Sequence, residues 1–141
     1  MKLVVVAVGK IRDAPMRAVA DDYFSRLSRY VAFEEREVKS GADLESGLPS
    51  GAVVIALEVH GEALTSEQLS KRVEQWSRRN KGVVAFLIGG ADGIPAEISK
   101  RADARLSLSS LTLPHRLARV VLAEQLYRSM TLLRGEPYAR E

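Results

Sequence analysis

Three runs of consecutive apolar residues, 3–8, 52–57 and 83–88, constrain the fold of this chain more than any other feature in it. The first reads Leu3-Val4-Val5-Val6-Ala7-Val8 and the third Val83-Val84-Ala85-Phe86-Leu87-Ile88. A strand with one face in water alternates apolar with polar residues. A β-branched run without alternation therefore belongs to a strand covered on both faces, as in a parallel sheet. Each large apolar side chain buried there contributes roughly 1.5–3 kcal/mol, so the three runs set the centre of the sheet. A weaker run at 104–108 adds another strand. The glutamate-rich stretch 33–38 reads as an edge strand at best, because carboxylates are poorly placed between two packed layers.

Helical spacing fills the intervals. Between 13 and 29, Met16, Val19, Ala20, Tyr23 and Leu27 recur on a helical period, with Pro15 in the first turn. Thr65 opens a T-x-x-Q capping box with Gln68, Leu64 can staple onto Leu69, and Leu69, Val73 and Trp76 form one stripe. Pro114 precedes a long segment, 115–133, in which Leu122, Leu126, Met130 and Leu133 share a face and Gly135 supplies the stop. Leu117, Val120 and Val121 give that segment a second apolar surface. A helix apolar on more than one side needs more than a sheet to cover it, which places a subunit interface there. Residues 41–51 read as a loop, with one helical turn over 43–48. The resulting order is an α/β alternation: a mainly parallel sheet with helices on both faces.

A single domain over 1–141 is expected, since 141 residues cannot hold a catalytic domain and an independent binding domain. The first apolar run is far shorter than the roughly 20 residues of a membrane helix. Gly9-Lys10 ends it without a cleavage site, so a cytoplasmic protein without a membrane partner is expected. The absence of cysteine excludes disulfides, thiolate zinc sites and cysteine nucleophiles. Two scattered histidines, His60 and His115, lack ligand spacing and suggest no metal site. The net charge is +3, but residues 99–141 carry 8 Lys or Arg against 4 Asp or Glu. A polyanion-binding face is then expected mainly in the C-terminal third, with a solvated helix face as the alternative.

In an open parallel sheet, ligands collect at the carboxyl ends of the strands. The first strand ends Val8-Gly9-Lys10, which is not a G-x-G-x-x-G fingerprint, and no G-x-x-x-x-G-K-[ST] phosphate loop occurs. Both patterns argue against Rossmann cofactor binding and P-loop chemistry. The other ends read Leu57-Glu58-Val59-His60-Gly61, Ile88-Gly89-Gly90-Ala91-Asp92-Gly93 and Leu108-Ser109-Ser110-Leu111-Thr112-Leu113-Pro114-His115. Glycines allow close backbone approach, and the amides and carbonyls of such loops can bond an adenine edge or a carboxylate. An ordinary tight turn is the plain alternative for Gly89 and Gly90. A hydrolase or nucleotide-binding enzyme using 89–93 as an anion nest is another reading.

The same segments carry a family resemblance. The turn I-G-G-x-x-G, then L-S-x-S-x-L-T-L-P-H, R-V-V-L-x-E-Q-L-Y-R and G-E-P-Y, with M-K-L-V-V-V-A-V-G-K and L-E-V-H-G before them, resemble the RlmH-type 23S rRNA pseudouridine methyltransferases of the SPOUT class. The resemblance covers essentially the whole chain; the block from L-T-L-P-H to Y-R is highly specific, whereas a G-G turn alone is not. It implies a C-terminal trefoil knot, an obligate homodimer, and S-adenosylmethionine as methyl donor with no metal. It also implies N3-methylation of a pseudouridine in a 23S rRNA stem-loop at the subunit interface, on the assembled 70S ribosome, with no role for DNA. The donor pocket it implies comprises Leu57, Gly89, Leu108, Ser109, Ser110, Leu111, Thr112 and Leu113. Two departures stand out. The variable stretch 39–50 is short, and the family's P-Y-H-R or P-Y-H-K tail reads Pro137-Tyr138-Ala139-Arg140-Glu141 here, with Ala139 in the histidine position.

Transfer from a sulfonium to an imide nitrogen is an in-line displacement in which orientation can supply about 7–11 kcal/mol. A general base typically adds roughly 10²–10⁴-fold in rate, so a missing tail histidine does not exclude activity. His115 is a candidate base because imidazole exchanges protons near neutrality. Arg140 can stabilise a developing imide anion, and Tyr138 can stack on a base. Each has a structural alternative: helix-start packing for His115, a tail anchor for Tyr138, a solvated charge for Arg140. His60 reads as a loop residue. Ala139 also motivates a non-catalytic ribosome- or RNA-binding protein that keeps the fold.

Overall fold

In the computed structural model, which describes residues 1–140, five strands form one all-parallel sheet in the order β2-β1-β4-β3-β5. The strands are β1 Lys2–Val8, β2 Ala32–Val38, β3 Val53–Ala63, β4 Val83–Ile88 and β5 Ala104–Ser107. The helices are α1 Ala14–Leu27, α2 Ser66–Ser77, α3 Ala96–Arg101 and α4 His115–Leu133. β1 and β4 lie inside the sheet, which explains their unbroken apolar runs. Leu3, Val5, Ala7, Phe86 and Ile88 pack with residues of α1, α2 and α4, while Val4, Val6, Ala85 and Leu87 pack with Leu44 and Ile98 on the other face. The second face is thus covered by α3 and by a 3₁₀ turn at Gly41–Asp43, which begins two residues before the expected helical turn.

Helix ends follow their local chemistry. The Asp13 carboxylate accepts from the Met16 amide at 3.0 Å, and both bonds of the Thr65–Gln68 capping box form, at 3.1 and 2.9 Å. Each cap satisfies amides that the first turn leaves without partners. Gly135, at φ +66°, follows the end of α4.

β2 is an edge strand, and its glutamates have partners. Glu35 and Glu37 meet Arg17 of α1 and Arg119 of α4, while Glu34 bonds Lys2 and Arg36. Charges held beneath an edge in this way discourage pairing with another chain. β3 departs from expectation by running on to Ala63 instead of ending at residue 57. Leu57 and Glu62 both stand opposite Leu106 of β5, so residues 58–61 bulge out of the ladder. A Cβ at Gly61 would lie 2.7 Å from the Leu106 backbone N and C, so glycine is what allows the chain to return to β5.

Candidate functional site

A cleft of about 1010 Å³ opens at the carboxyl edge of the sheet, walled by the segments that follow β4 and β5, the β3 bulge and the start of α4. The bulge supplies Glu58, Val59 and His60 beyond Leu57, the turn after β4 supplies Gly89, Gly90 and Gly93, and α4 supplies His115 and Ala118.

The two loops hold themselves in shape before any ligand is considered. After β4, the Gly93 amide donates to the Gly90 carbonyl at 3.0 Å, and the chain folds back closely enough that a Cβ on Gly89 would lie 2.5 Å from the Gly93 carbonyl carbon. Gly89 is therefore required by the backbone of its own turn as well as by its place in the cleft. After β5, the Ser107 hydroxyl donates to the Ser109 carbonyl at 3.0 Å and the Ser109 hydroxyl accepts from the Leu111 amide at 2.9 Å. That local turn leaves the Leu111 side chain 74% exposed at the cleft, where it can cover an apolar ligand.

Of the donor-site residues implied by resemblance, Leu57, Gly89, Leu108, Ser109, Leu111, Thr112 and Leu113 line this one cleft; Ser110 is exposed and forms no part of its wall. His115 is half-buried in the wall, and a Cβ on Gly9 at the end of β1 would lie 3.9 Å from its Nε2. His60, read as a loop residue, is exposed in the β3 bulge and lines the same cleft. Glu58 is the one carboxylate among the lining residues. Sequence reasoning missed it, because nothing in L-E-V-H-G signals a bulge until Gly61 is seen against Leu106.

Tyr138 is not brought to this cleft. Residues Pro137–Arg140 form a 3₁₀ turn packed on α4, where the Tyr138 hydroxyl donates to Glu124 at 2.6 Å. Its ring centre lies 4.6 Å from that of Tyr127, and the Arg128 guanidinium sits 5.1 Å from it. Burial, and then the bond to Glu124, push the phenol well above its ordinary value. The Arg140 side chain lies outside the described residues. Nine residues of helix separate His115 from Glu124, about 14 Å at 1.5 Å per residue, so tail and cleft occupy different parts of α4. Ala139 lines a second hollow of about 400 Å³ with Thr65, Ser66, Glu67, Arg128 and Leu132. Glu124 and Arg128 also escaped the sequence reading, although their i,i+4 spacing was the available signal.

The basic residues of the C-terminal third do not gather into one face. Arg119 is fully buried, Arg101 and Arg128 pair with Glu45 and Glu124 at 2.8 Å each, and the Arg134 guanidinium lies 4.9 Å from the centre of the Tyr30 ring. Among the described residues no helix is long and apolar enough to cross a membrane.

A parallel sheet with a ligand-sized cleft walled by three strand ends defines an α/β protein built to bind a small molecule at its carboxyl edge. The comparisons with known proteins narrow the class. A family model described as "Predicted SPOUT methyltransferase" matches residues 1–139. The chain is 58% identical over 144 residues to the ribosomal RNA large subunit methyltransferase H of Sorangium cellulosum, covering 99% of each chain. It is 45% identical over 152 residues to the protein of that name from Anaeromyxobacter dehalogenans, covering 98% of this chain and 99% of the other. A probable methylase family protein from Haemophilus influenzae shares the fold at a TM-score of 0.61 and 10% identity, covering 97% of this chain and 69% of that one. An AdoMet-bound rRNA methyltransferase from Sinorhizobium meliloti does so at a TM-score of 0.51 and 11% identity, covering 90% and 56%. The chain belongs to the SPOUT methyltransferase family.

Proposed function

We propose that this protein, as a cytoplasmic homodimer, methylates N3 of a pseudouridine in 23S rRNA of the assembled 70S ribosome, taking the methyl group from S-adenosylmethionine held in the cleft. The observation that carries the reading is the convergence of Leu57, Gly89 and most of residues 108–113 on one cleft. The relatives named as ribosomal RNA large subunit methyltransferases support the substrate class. The residues present fit the donor: Leu57, Ile88, Leu108 and Leu113 offer apolar walls to an adenosine, the loop amides and carbonyls offer partners to its edge, and Glu58 offers a counter-charge to a cation. When bound, the donor supplies an electrophilic methyl group on a sulfonium. The chain orients the reactants and covers them, with Leu111 at the rim. His115, in the wall, is the group placed to take the imide proton.

A catalytic part for Tyr138 and Arg140 requires a second copy, because their own cleft lies about 14 Å away along α4. Leu117, Val121 and Leu132, all half-buried, share one side of α4 with Glu124 and Arg128 and give that copy an apolar surface. On this reading the tail of one protomer closes over the base presented to its partner. The C-terminal trefoil knot belongs to the same proposal, and membership of the SPOUT methyltransferase family supports it.

Mass spectrometry of 23S rRNA from a deletion strain is the test: one methylated pseudouridine should disappear and return on complementation, and an unchanged nucleoside profile would overturn the proposal. Ala139, standing beside Arg128 where the family has histidine, favours one other reading, a non-catalytic ribosome-binding protein. That reading requires ribosome binding with no methyl group lost in the deletion strain.

A further inference from the structure

Four exposed cations, Lys10, Arg12, Lys39 and Arg116, stand together where β1 and β2 finish beside the cleft. The Gly9 amide donates to the Val38 carbonyl at 2.8 Å, so the next residues, Lys10 and Lys39, leave the sheet side by side. Ile11 is buried, and it pins the loop so that Lys10 and Arg12 flank the anchor on the outside. The closeness of Gly9 to His115, with 3.9 Å from a built Cβ to Nε2, brings Arg116 to the same edge. Among the described residues none of the four has a carboxylate within ion-pair distance. Asp13, the acid that follows Arg12, is engaged in capping α1. Elsewhere Arg17 and Arg119 pair with Glu35 and Glu37, Arg72 with Glu62 and Arg79 with Asp103, while the exposed cations Arg29, Lys81, Lys100 and Arg105, also without ion pairs among the described residues, do not line the cleft.

From this juxtaposition we infer that Lys10, Arg12, Lys39 and Arg116 form a docking rim for phosphates of the RNA strand that carries the target base. The inference rests on the rRNA substrate proposed above and says which surface receives it. A net charge of +3 spread over the whole chain is a weak attractor, whereas four unmatched cations on one edge concentrate the field next to the reacting site. Phosphate contacts of this kind carry no sequence information; they fix where the strand lies, and here they fix it against the wall that contains His115. The rim draws three of its four cations from the N-terminal third, the opposite of what the charge count along the chain suggests.

The test measures binding of fluorescently labelled full-length protein to purified 70S ribosomes over a range of KCl concentrations. Each phosphate neutralised contributes a slope of about −0.7 in log affinity against log salt, so four contacts contribute about −2.8, roughly 600-fold per tenfold rise in salt. The variant Lys10→Gln, Arg12→Gln, Lys39→Gln, Arg116→Gln should flatten the slope by about that amount while calorimetry finds donor affinity within about twofold of wild type. A charge-matched control, Arg29→Gln, Lys81→Gln, Lys100→Gln, Arg105→Gln, removes four exposed cations from the opposite, amino edge of the sheet and should change the slope far less. Wild-type binding by the rim variant, or an equal loss in the control, would overturn the rim. Methyl transfer read in the same samples separates the two ideas. Ribosome binding without transfer by the wild type defeats the proposed function and leaves the rim to the slope, whereas transfer by the rim variant at the wild-type KM for ribosomes defeats the rim and leaves the function.

Discussion

Replacing Arg119 with methionine tests how the cleft is tied to the rest of the fold. Its side chain is fully buried; Nη1 bonds Glu35 at 3.0 Å and also Glu37, Nη2 bonds the Gly9 carbonyl at 2.9 Å, and Nε finds no partner among the described residues. Removing one member of a buried ion pair typically costs about 3–5 kcal/mol because the remaining charge is left uncompensated. Here the two glutamate side chains keep 17% and 29% exposure and Arg17 stays 2.7 Å from Glu35, so the loss belongs at the low end of that range. Methionine also removes the unpartnered Nε and fills much of the volume. Taking about 3 kcal/mol and an unfolding entropy of about 2.1 cal/mol/K for each of 141 residues, Tm should fall by about 10 °C. Calorimetric melts at fixed protomer concentration read this directly, since a dimer's Tm depends on concentration. Adding Glu35→Gln and Glu37→Gln to Arg119→Met should recover at least half of the loss, because the two stranded carboxylate charges are gone and Arg17 keeps its pair with Asp21. A single variant that melts within about 2 °C of wild type, or a triple variant no better than the single one, would show that this network does not hold the edge strand to α4.

Other substitutions test the geometry separately. Gly61→Ala places a Cβ 2.7 Å from the Leu106 backbone, so the bulge must move; donor affinity measured by calorimetry should drop at least tenfold in a soluble, folded protein, and unchanged affinity would detach the bulge from the site. The Tyr138 phenol, raised above its ordinary value of 10, contributes stability that is complete below pH 10 and is lost as pH rises through the folded value. Thermal melts should therefore fall more steeply above pH 10 in the wild type than in Tyr138→Phe, and parallel curves would refute the assignment. Val121→Glu on the outer side of α4 should give monomers by sedimentation while the melt stays cooperative; a stable dimer would place the interface elsewhere.

How much was legible in the sequence divides along the range of the interactions involved. β4 and α4 match their expected limits because a buried parallel strand and a Pro-led, Gly-terminated helix write their signals locally. The capping box at Thr65 formed as read for the same reason. Residue 57 looked like the end of β3 because the hydrophobic run stops there; the strand resumes at Glu62 only because β5, some forty residues later, offers Leu106 a second time. The glutamates of β2 looked like evidence against a packed strand, yet their partners, Arg17 and Arg119, come from two different helices. Charge counting could not say which charges face solvent unpaired: Arg119 is buried and Arg101 and Arg128 have carboxylate partners, while Lys100, Arg105 and Arg116 are exposed without one among the described residues. The segments that wall the cleft were readable as strand ends, and the resemblance had pointed to most of the same residues. For the tail, the anchoring alternative for Tyr138 was legible but its partner, Glu124 of α4, was not.

Arg119 also links the cleft wall to the proposed RNA rim, and this yields a sharper prediction than loss of stability. The residue sits one turn after His115 on α4, and its guanidinium holds the carbonyl of Gly9, the residue next to Lys10. One planar group thus spans Glu35, Glu37 and the β1 terminus at once. A lysine ammonium keeps the charge but is compact and lacks the fork that reaches several acceptors in fixed directions. In Arg119→Lys the ammonium should stay with the two carboxylates, because a charged acceptor outcompetes a neutral carbonyl, and the Gly9 carbonyl is the contact released. Stability should then return most of the way from the methionine variant toward wild type, while the loop carrying Lys10 and Arg12 loses its tie to α4. The expected kinetic signature is a raised KM for ribosomes with donor affinity little changed, because the cleft loops after β4 and β5, where the donor is proposed to bind, hold their shape through their own hydrogen bonds. The two histidines give an independent view: in NMR spectra the His115 imidazole signals should shift in Arg119→Lys, since Gly9 packs beside that ring, while those of His60 in the β3 bulge stay in place. Equal loss of donor and ribosome affinity, or an unmoved His115 signal, would mean that Arg119 only stabilises the fold and does not position the edge where RNA is received.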